Sequence, residues 1–183
     1  MEKTLKSERV FDGKLLKVDR LEVKLDNGKK SVREIVRFPE VVVVIAADDK
    51  RNILCVKQFR KPVEGDLLEA IAGKVDAGET PVEAAKRELM EETGYEAKTM
   101  VEMGTTYPTP GYSTEIQHYF VAVLADKPSK PLGDGEEKIE CKWMSEKDLV
   151  ELSAQNEPVD GKLITGLGFL FLAICKVKQT KGE

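Results

Sequence analysis

Seven residues in one stretch of this chain have the types and spacing of a metal-phosphate site. Between Gly73 and Tyr95 the sequence reads GKVDAGETPVEAAKRELMEETGY, so Gly73, Glu79, Arg87, Glu88, Glu91, Glu92 and Gly94, together with the apolar Leu89, form the pattern G-x5-E-x7-R-E-L-x-E-E-x-G. Thr80-Pro81-Val82-Glu83 has the form of a capping box with proline at the first helical position, which predicts a helix starting there. At 3.6 residues per turn, Glu88 and Glu92 lie about 40° apart and Glu91 about 60° to the other side of Glu88. Three carboxylates therefore share one face, beside an apolar stripe of Val82, Ala85 and Leu89 that would seat the helix on a core. Arg87 stands one turn before Glu91, where an ion pair is favoured, so the spacing assigns Glu91 partly to that pair and Glu88 and Glu92 chiefly to metal. Hard cations such as Mg²⁺ take oxygen ligands and share them among one or two carboxylates, waters and substrate phosphates. A run such as ELMEE is by itself more often the solvated face of an acidic helix. Gly73, Gly78 and Glu79 upstream argue otherwise, because glycines admit backbone conformations and close approaches that a plain surface helix does not need.

The elements that must hold these residues belong to a chain of 183 residues, 41% hydrophobic, with a net charge of −4. This composition suits one soluble domain with a short appendage and gives no run of transmembrane length. The start, MEKTLKSERV, is charged throughout and does not read as a signal peptide. Cys55, Cys141 and Cys175 are odd in number, far apart and without clustered histidines, so neither a disulfide framework nor a zinc site is expected, and a cytoplasmic location follows. The negative charge argues against a nucleic-acid surface, while a divalent cation can carry the attraction for an anionic substrate. His118, the one histidine, lies in an alternating strand and reads as structural. No G-x4-GK[ST] phosphate loop is present.

Residues 1 to about 38 contain three strand-like pieces, with Asp26-Asn27-Gly28 as a hairpin signal between the second and third. This arm is too small to bury a core of its own. Glu40 to Ala47, EVVVVIAA, predicts a buried central strand, and a turn at Asp48 to Asn52 leads to ILCVKQF as its hairpin partner. After the acidic helix come a loop, TTYPTPGYSTE, a strand, IQHYFVAVLA, a second loop, LGDGEEK, and a strand, IECKWM. Ser145 can cap a helix over EKDLVELSA, and a last helix covers roughly Leu163 to Val177. Strands mixed with a few helices, without strict alternation, point to an α+β class. Arg60 ends an apolar strand ahead of Lys61-Pro62, where a guanidinium can grip a phosphate with paired hydrogen bonds or simply be solvated.

The Gly73–Tyr95 segment resembles the Nudix box of the Nudix hydrolase superfamily. Beyond it, VKQFRKP, LLEAIAGK and Pro110, fifteen positions after Tyr95 within TPGYSTE, are similar to the ADP-ribose pyrophosphatase branch, so the likeness covers most of the chain. The resemblance implies an α/β/α sandwich on a mixed β-sheet. It divides the chain into a β arm, residues 1–38, swapped in a homodimer to complete the adenosine pocket, and a hydrolase domain, residues 39–183. It implies that Glu88, Glu92 and the Ala72 carbonyl, with Glu79, Glu91 and Glu137, hold two or three Mg²⁺ ions, for which Mn²⁺ is a substitute. On the substrate side it implies Arg60 on the pyrophosphate, Phe11 as an adenine-stacking ring, Arg33 as a polar contact, Glu69 as a substrate contact or loop brace, and Pro110 and Gly111 in a binding loop.

Three positions depart from the pattern of the branch. Ile71 stands where a proline is usual, and Tyr95 replaces an aliphatic residue. In the loop Gly133-Asp134-Gly135-Glu136-Glu137-Lys138, register with Ile139 puts a metal-binding acid at Glu137 but the expected general base at Gly135. Glu136 and, in the other loop, Glu115 are the alternatives for the base, with Arg87 and Glu91 as further members of the catalytic group. The implied reaction is hydrolysis of a small nucleoside diphosphate sugar, ADP-ribose, to AMP and ribose 5-phosphate. Another sugar nucleotide or dinucleotide, such as GDP-mannose, is the second reading, because the box reads only the diphosphate. A module that binds ADP-ribose without cleaving it is the third, disfavoured by the intact box and the lack of room for an added DNA-binding domain.

Overall fold

The computed structural model describes residues 1–125, 128, 139–154 and 158–181. The chain divides into one unit made of Met1–Glu40 and Thr106–Gln117 and another made of Val41–Thr105 and His118–Glu183.

In the first unit, β1 (Lys3–Asp12), β2 (Lys17–Lys24) and β3 (Lys30–Arg37) form an antiparallel sheet in that order. The turn between β2 and β3 is the one expected: Gly28 adopts φ 80° and donates its N–H to the Leu25 carbonyl at 2.9 Å, a geometry that glycine takes without steric cost. β2 alternates, burying Asp19, Leu21 and Val23. Arg9 and Arg37 both hydrogen-bond the Asp19 carboxylate and hold it below the usual carboxylate range. β1 is exposed along its whole length. The loop around Pro110 is stitched to β3, which the sequence did not reveal. Val36 donates to the Tyr112 carbonyl at 2.8 Å and accepts from Thr114 at 3.0 Å, and Phe38 donates to Thr114 Oγ1 at 3.0 Å.

The second unit is a mixed sheet of β4 (Val41–Ala47), β5 (Ile53–Arg60), β6 (Gly65–Glu69), β7 (Ile71–Lys74), β8 (Ala97–Thr106), β9 (Gln117–Leu124) and β10 (Glu140–Met144), with helices α1 (Pro81–Thr93), α2 (Glu146–Ala154) and α3 (Gly161–Lys181). Its order is β10-β5-β4-β9-β8, with β6 on β5 and β7 on β4. β4 is central, as its β-branched run predicts, but its hairpin with β5 pairs only near the turn, at Ala46–Leu54 and Ala47–Ile53. Farther along, β7 takes the place beside β4, pairing Val41–Val44 with Lys74–Ile71. Ile71 is fully buried in that pairing, which explains an apolar residue where a proline would fill less of the core.

Two-residue periodicity sends the two faces of β4 to different helices. Val42, Val44 and Ala46 pack with Phe120, Ala122 and Leu124 of β9 and with Ala84, Ala85 and Leu89 of α1. Ile45 and Tyr119 face α3, so closely that a Cβ on Gly166 would lie 2.5 Å from Ile45 Cδ1, and Phe169 stacks at a tilt on Tyr119 with centroids 5.2 Å apart. The result is the expected α/β/α sandwich. Val82 departs from the expected stripe: it is 38% exposed in the first turn of α1, and Ala84 is buried instead. β8 is a strand that the sequence reading passed over.

Candidate active site

α1 begins as its sequence dictates. Thr80 caps it, accepting from Glu83 N–H at 3.4 Å, while Glu83 Oε2 accepts from Thr80 N–H at 2.9 Å, a reciprocal capping box with Pro81 in the first turn. Gly94 ends it in the left-handed region at φ 72°. This start and stop fix the rotation of the helix, and with it the acidic face.

β7 provides the surface against which that face lies. A Cβ on Gly73 would meet Glu88 Cδ and Oε1 at 1.9 Å, so the carboxylate rests directly on the glycine backbone. One turn later Glu92 takes a backbone hydrogen bond at Ala72. The two acids expected to hold metal therefore lie side by side along Ala72-Gly73. Burial pushes the Glu88 carboxyl up, against the pull of Arg87. Burial, followed by the charge of Glu88, pushes Glu92 up to about 8. Glu92 Oε2 is enclosed and, among the described residues, has no hydrogen-bond partner.

Arg87 organises the rest. Its Nε and Nη2 donate to Glu79 at 3.0 and 2.9 Å, Nη1 donates to Glu88 at 2.7 Å and to Glu91 at 3.1 Å, and Nη2 also reaches the Lys74 carbonyl at 2.9 Å. Hydrogen bonds from Arg87 hold Glu79 below the usual carboxylate range, and the guanidinium is in turn raised, chiefly by Glu79. The Arg87–Glu91 pair has the geometry that the one-turn spacing implied. The link from Arg87 to Glu79 and Glu88 was not foreseen, because it depends on how the loop folds back onto the helix.

Arg60 and Glu69 meet at the ends of β5 and β6. Arg60 donates from Nε and Nη2 to the two carboxylate oxygens of Glu69 at 2.5 and 2.8 Å. Charge from both is felt at Glu92. Lys162, in the first turn of α3, stands 3.8 Å from Glu69 and 2.8 Å from Asp160. Sequence reasoning missed Lys162, because nothing in Asp160-Gly161-Lys162 marks it as more than a helix start.

Phe11, Arg33, Pro110, Gly111 and Glu115 belong to the first unit. Phe11 is 55% exposed on β1. Arg33 pairs with Glu2 and donates to Ser31 Oγ and the Val32 carbonyl, each at 2.9 Å. Pro110 and Gly111 form a turn closed by Tyr112 and Ser113 donating to the Thr109 carbonyl, and Glu115 accepts from Gln117 at 2.7 Å. Glu136 and Glu137 lie outside the described residues.

The donor set suits a hard divalent cation. It offers oxygen alone, two carboxyls raised by burial, and one enclosed carboxylate oxygen that lacks a hydrogen-bond partner among the described residues. Among the described residues no three acids, histidines or cysteines converge as a ready cage.

A NUDIX domain match covers residues 36–167. The chain is 40% identical over 93% of both sequences to an ADP-ribose pyrophosphatase of Bacillus subtilis (strain 168). It is 37% identical, again over 93% of both, to a methanol dehydrogenase activator of Bacillus methanolicus. To a GDP-mannose pyrophosphatase of Yersinia enterocolitica it is 33% identical over 76% of this chain and 78% of the relative. Among solved structures, an ADP compounds hydrolase shares the fold with a TM-score of 0.83 and 23% identity, over 99% of this chain and 96% of that one.

Proposed function

The chain belongs to the Nudix hydrolases, and from that premise we propose that it hydrolyses the pyrophosphate of ADP-ribose to AMP and ribose 5-phosphate. The observation that carries this reading is the pair Glu88 and Glu92 laid along Gly73 and Ala72, one oxygen of Glu92 enclosed and without a hydrogen-bond partner among the described residues. The choice of ADP-ribose is supported by the similarity to the Bacillus subtilis pyrophosphatase.

Divalent metals, as Nudix hydrolases generally use, would lower the pKa of a bound water and neutralise charge on the leaving phosphate. Glu88, Glu92 and the Ala72 carbonyl would hold them, two or three Mg²⁺ per site with Mn²⁺ as a substitute, helped by Glu79, Glu91 and Glu137. Arg87 fixes Glu79, Glu88 and Glu91 relative to one another, so that little rearrangement is needed when charge develops. Arg60 grips the diphosphate from the end of β5. A loop glutamate, Glu136 by preference and otherwise Glu115, removes the proton from the attacking water. Phe11 and Arg33 bind the adenosine end, and Pro110 and Gly111 contact the substrate.

The molecule acts as a cytoplasmic homodimer through the arm of residues 1–38. Leu5, Val10 and Phe11 on β1 are exposed, the condition of a strand that a second copy covers. Among the described residues no helix is long and apolar enough to cross a membrane. A second reading, turnover of another nucleoside diphosphate sugar such as GDP-mannose, is favoured by the Yersinia relative.

AMP release from ADP-ribose, ADP-glucose, NADH and diadenosine polyphosphates, and GMP release from GDP-mannose, measured in Mg²⁺ and in EDTA, test the proposal. Metal-dependent turnover greatest on ADP-ribose is expected. Greater turnover of GDP-mannose keeps the chemistry and rejects the substrate, and binding of ADP-ribose without turnover of any substrate makes the protein a binding module.

A further inference from the structure

Two cations from different elements converge on one buried carboxylate oxygen, and from this we infer that Lys162 is a positioning residue that releases Arg60 to the substrate diphosphate. Glu69 is 2% exposed. Its Oε2 accepts from Arg60 Nη2 at 2.8 Å, and Lys162 Nζ stands 3.8 Å from that same oxygen. Lys162 is held in place through Asp160: its Nζ lies 2.8 Å from Asp160 Oδ2, and Asp160 donates its own N–H to the Leu68 carbonyl at 3.2 Å, beside Glu69.

An arginine committed with two bonds to an enclosed carboxylate does not turn to a new anion cheaply. Each bond it releases leaves a buried, charged acceptor without a partner, and that loss offsets what the phosphate contact supplies. Lys162 removes the obstacle. An ammonium carries three donors, so Nζ can stay in its ion pair with Asp160 while closing about 1 Å to reach hydrogen-bond distance of Oε2. One bond then replaces another: Arg60 Nη2 leaves Oε2 for a phosphate oxygen, and Lys162 Nζ takes Oε2. No proton moves. Glu69 ends β6 two residues before β7 begins at Ile71, the strand whose Gly73 backs Glu88, so the exchange occurs close in the chain to the metal-binding face.

This inference rests on the role given to Arg60 in the proposed function. It is tested with Lys162→Met and Lys162→Arg, each alone and combined with Arg60→Lys, in the full chain. Steady-state turnover of ADP-ribose in Mg²⁺ and thermal melts are recorded in parallel. Lys162→Met is expected to raise KM on the order of tenfold with kcat changed less than about twofold, and Lys162→Arg to restore most of the affinity. In the Arg60→Lys background Lys162→Met should add nothing, because the two act as one unit. A Lys162→Met variant that melts lower but keeps the wild-type KM overturns the inference, as does an undiminished effect in the Arg60→Lys background. If Lys162→Met does not fold, Lys162→Gln replaces it in the same comparison.

Failure of the substrate assignment is read separately, from the wild-type protein. If that protein prefers another diphosphate, the Lys162 comparison is run on the preferred one. If it cleaves none, calorimetric binding of ADP-ribose serves, and an unchanged affinity in Lys162→Met overturns the inference.

Discussion

Gly73→Ala should disable the site while leaving the fold nearly intact. The added Cβ would lie 1.9 Å from Glu88 Cδ and Oε1, against 3.4–4 Å for ordinary contact, so the carboxylate must retreat by about 1.5 Å or more. The retreat breaks the 2.7 Å bond from Arg87 Nη1 and carries one of the two main acids away from Ala72-Gly73. The displaced atoms are the far end of a flexible side chain, and Gly73 has no positive φ, so the backbone need not shift. Misplacing a catalytic group by about 1 Å costs on the order of a hundredfold in rate, whereas an alanine that fits its backbone changes stability by less than about 1 kcal/mol. The assay is turnover of ADP-ribose across a Mg²⁺ titration, with melts in EDTA. A fall in kcat/KM on the order of a hundredfold, with Tm within a few degrees of wild type, is expected. Shortening the acid relieves the clash, so Gly73→Ala combined with Glu88→Asp should be no worse than Glu88→Asp alone. An alanine variant with wild-type turnover and Mg²⁺ dependence would falsify the steric account of why glycine stands there.

Metal-free stability should depend on pH through Glu92, whose carboxyl is pushed up to about 8. A raised carboxyl favours the folded state at low pH, and that stability is lost as pH rises from the ordinary carboxylate range through 8. At pH 7 the loss amounts to about 3 kcal/mol. In EDTA, Glu92→Gln should therefore melt several degrees above wild type at pH 7 and lose that advantage near pH 4; parallel melting curves across this range would refute the assignment. Arg87→Lys keeps the charge but cannot reproduce contacts to three carboxylates and a carbonyl. It should lose most turnover and about 2 kcal/mol of stability, below the fully buried figure because Arg87 is 28% exposed, as read by denaturant titration. Thr80→Ala removes the cap of α1 and should lower Tm by about 2–4 °C with turnover at 25 °C unchanged; equal melting temperatures would show that the cap contributes nothing.

Features governed by a few neighbouring residues were legible in the sequence. The capping box names its own bonds, Gly28 its own turn, and the Arg87–Glu91 spacing its own pair. α2 is bounded as Ser145 implied, with Ser145 and Asp148 capping each other. What escaped the reading depends on contacts made across the fold. Val82 is exposed because burial in the first turn depends on how the helix meets the sheet, not on periodicity alone. Arg60 read as a strand-end cation, but its carboxylate partner lies on a strand that the same reading did not draw. Tyr95, unusual after Gly94, packs edge-on against Trp143 with centroids 5.9 Å apart, a contact made with β10.

The bonds between β3 and the Pro110 turn also bear on the order in which the protein is made. Phe38 and Thr114 are 76 residues apart, and at about 5–20 residues per second the ribosome takes roughly 4–15 s to cover that distance. During that interval β3 lacks its last partner, while the strands and helix that carry the acids emerge between the two. Completion of the first unit therefore waits on synthesis of much of the second. A nascent chain stalled before Thr114 should leave β3 open to proteases that the finished protein resists.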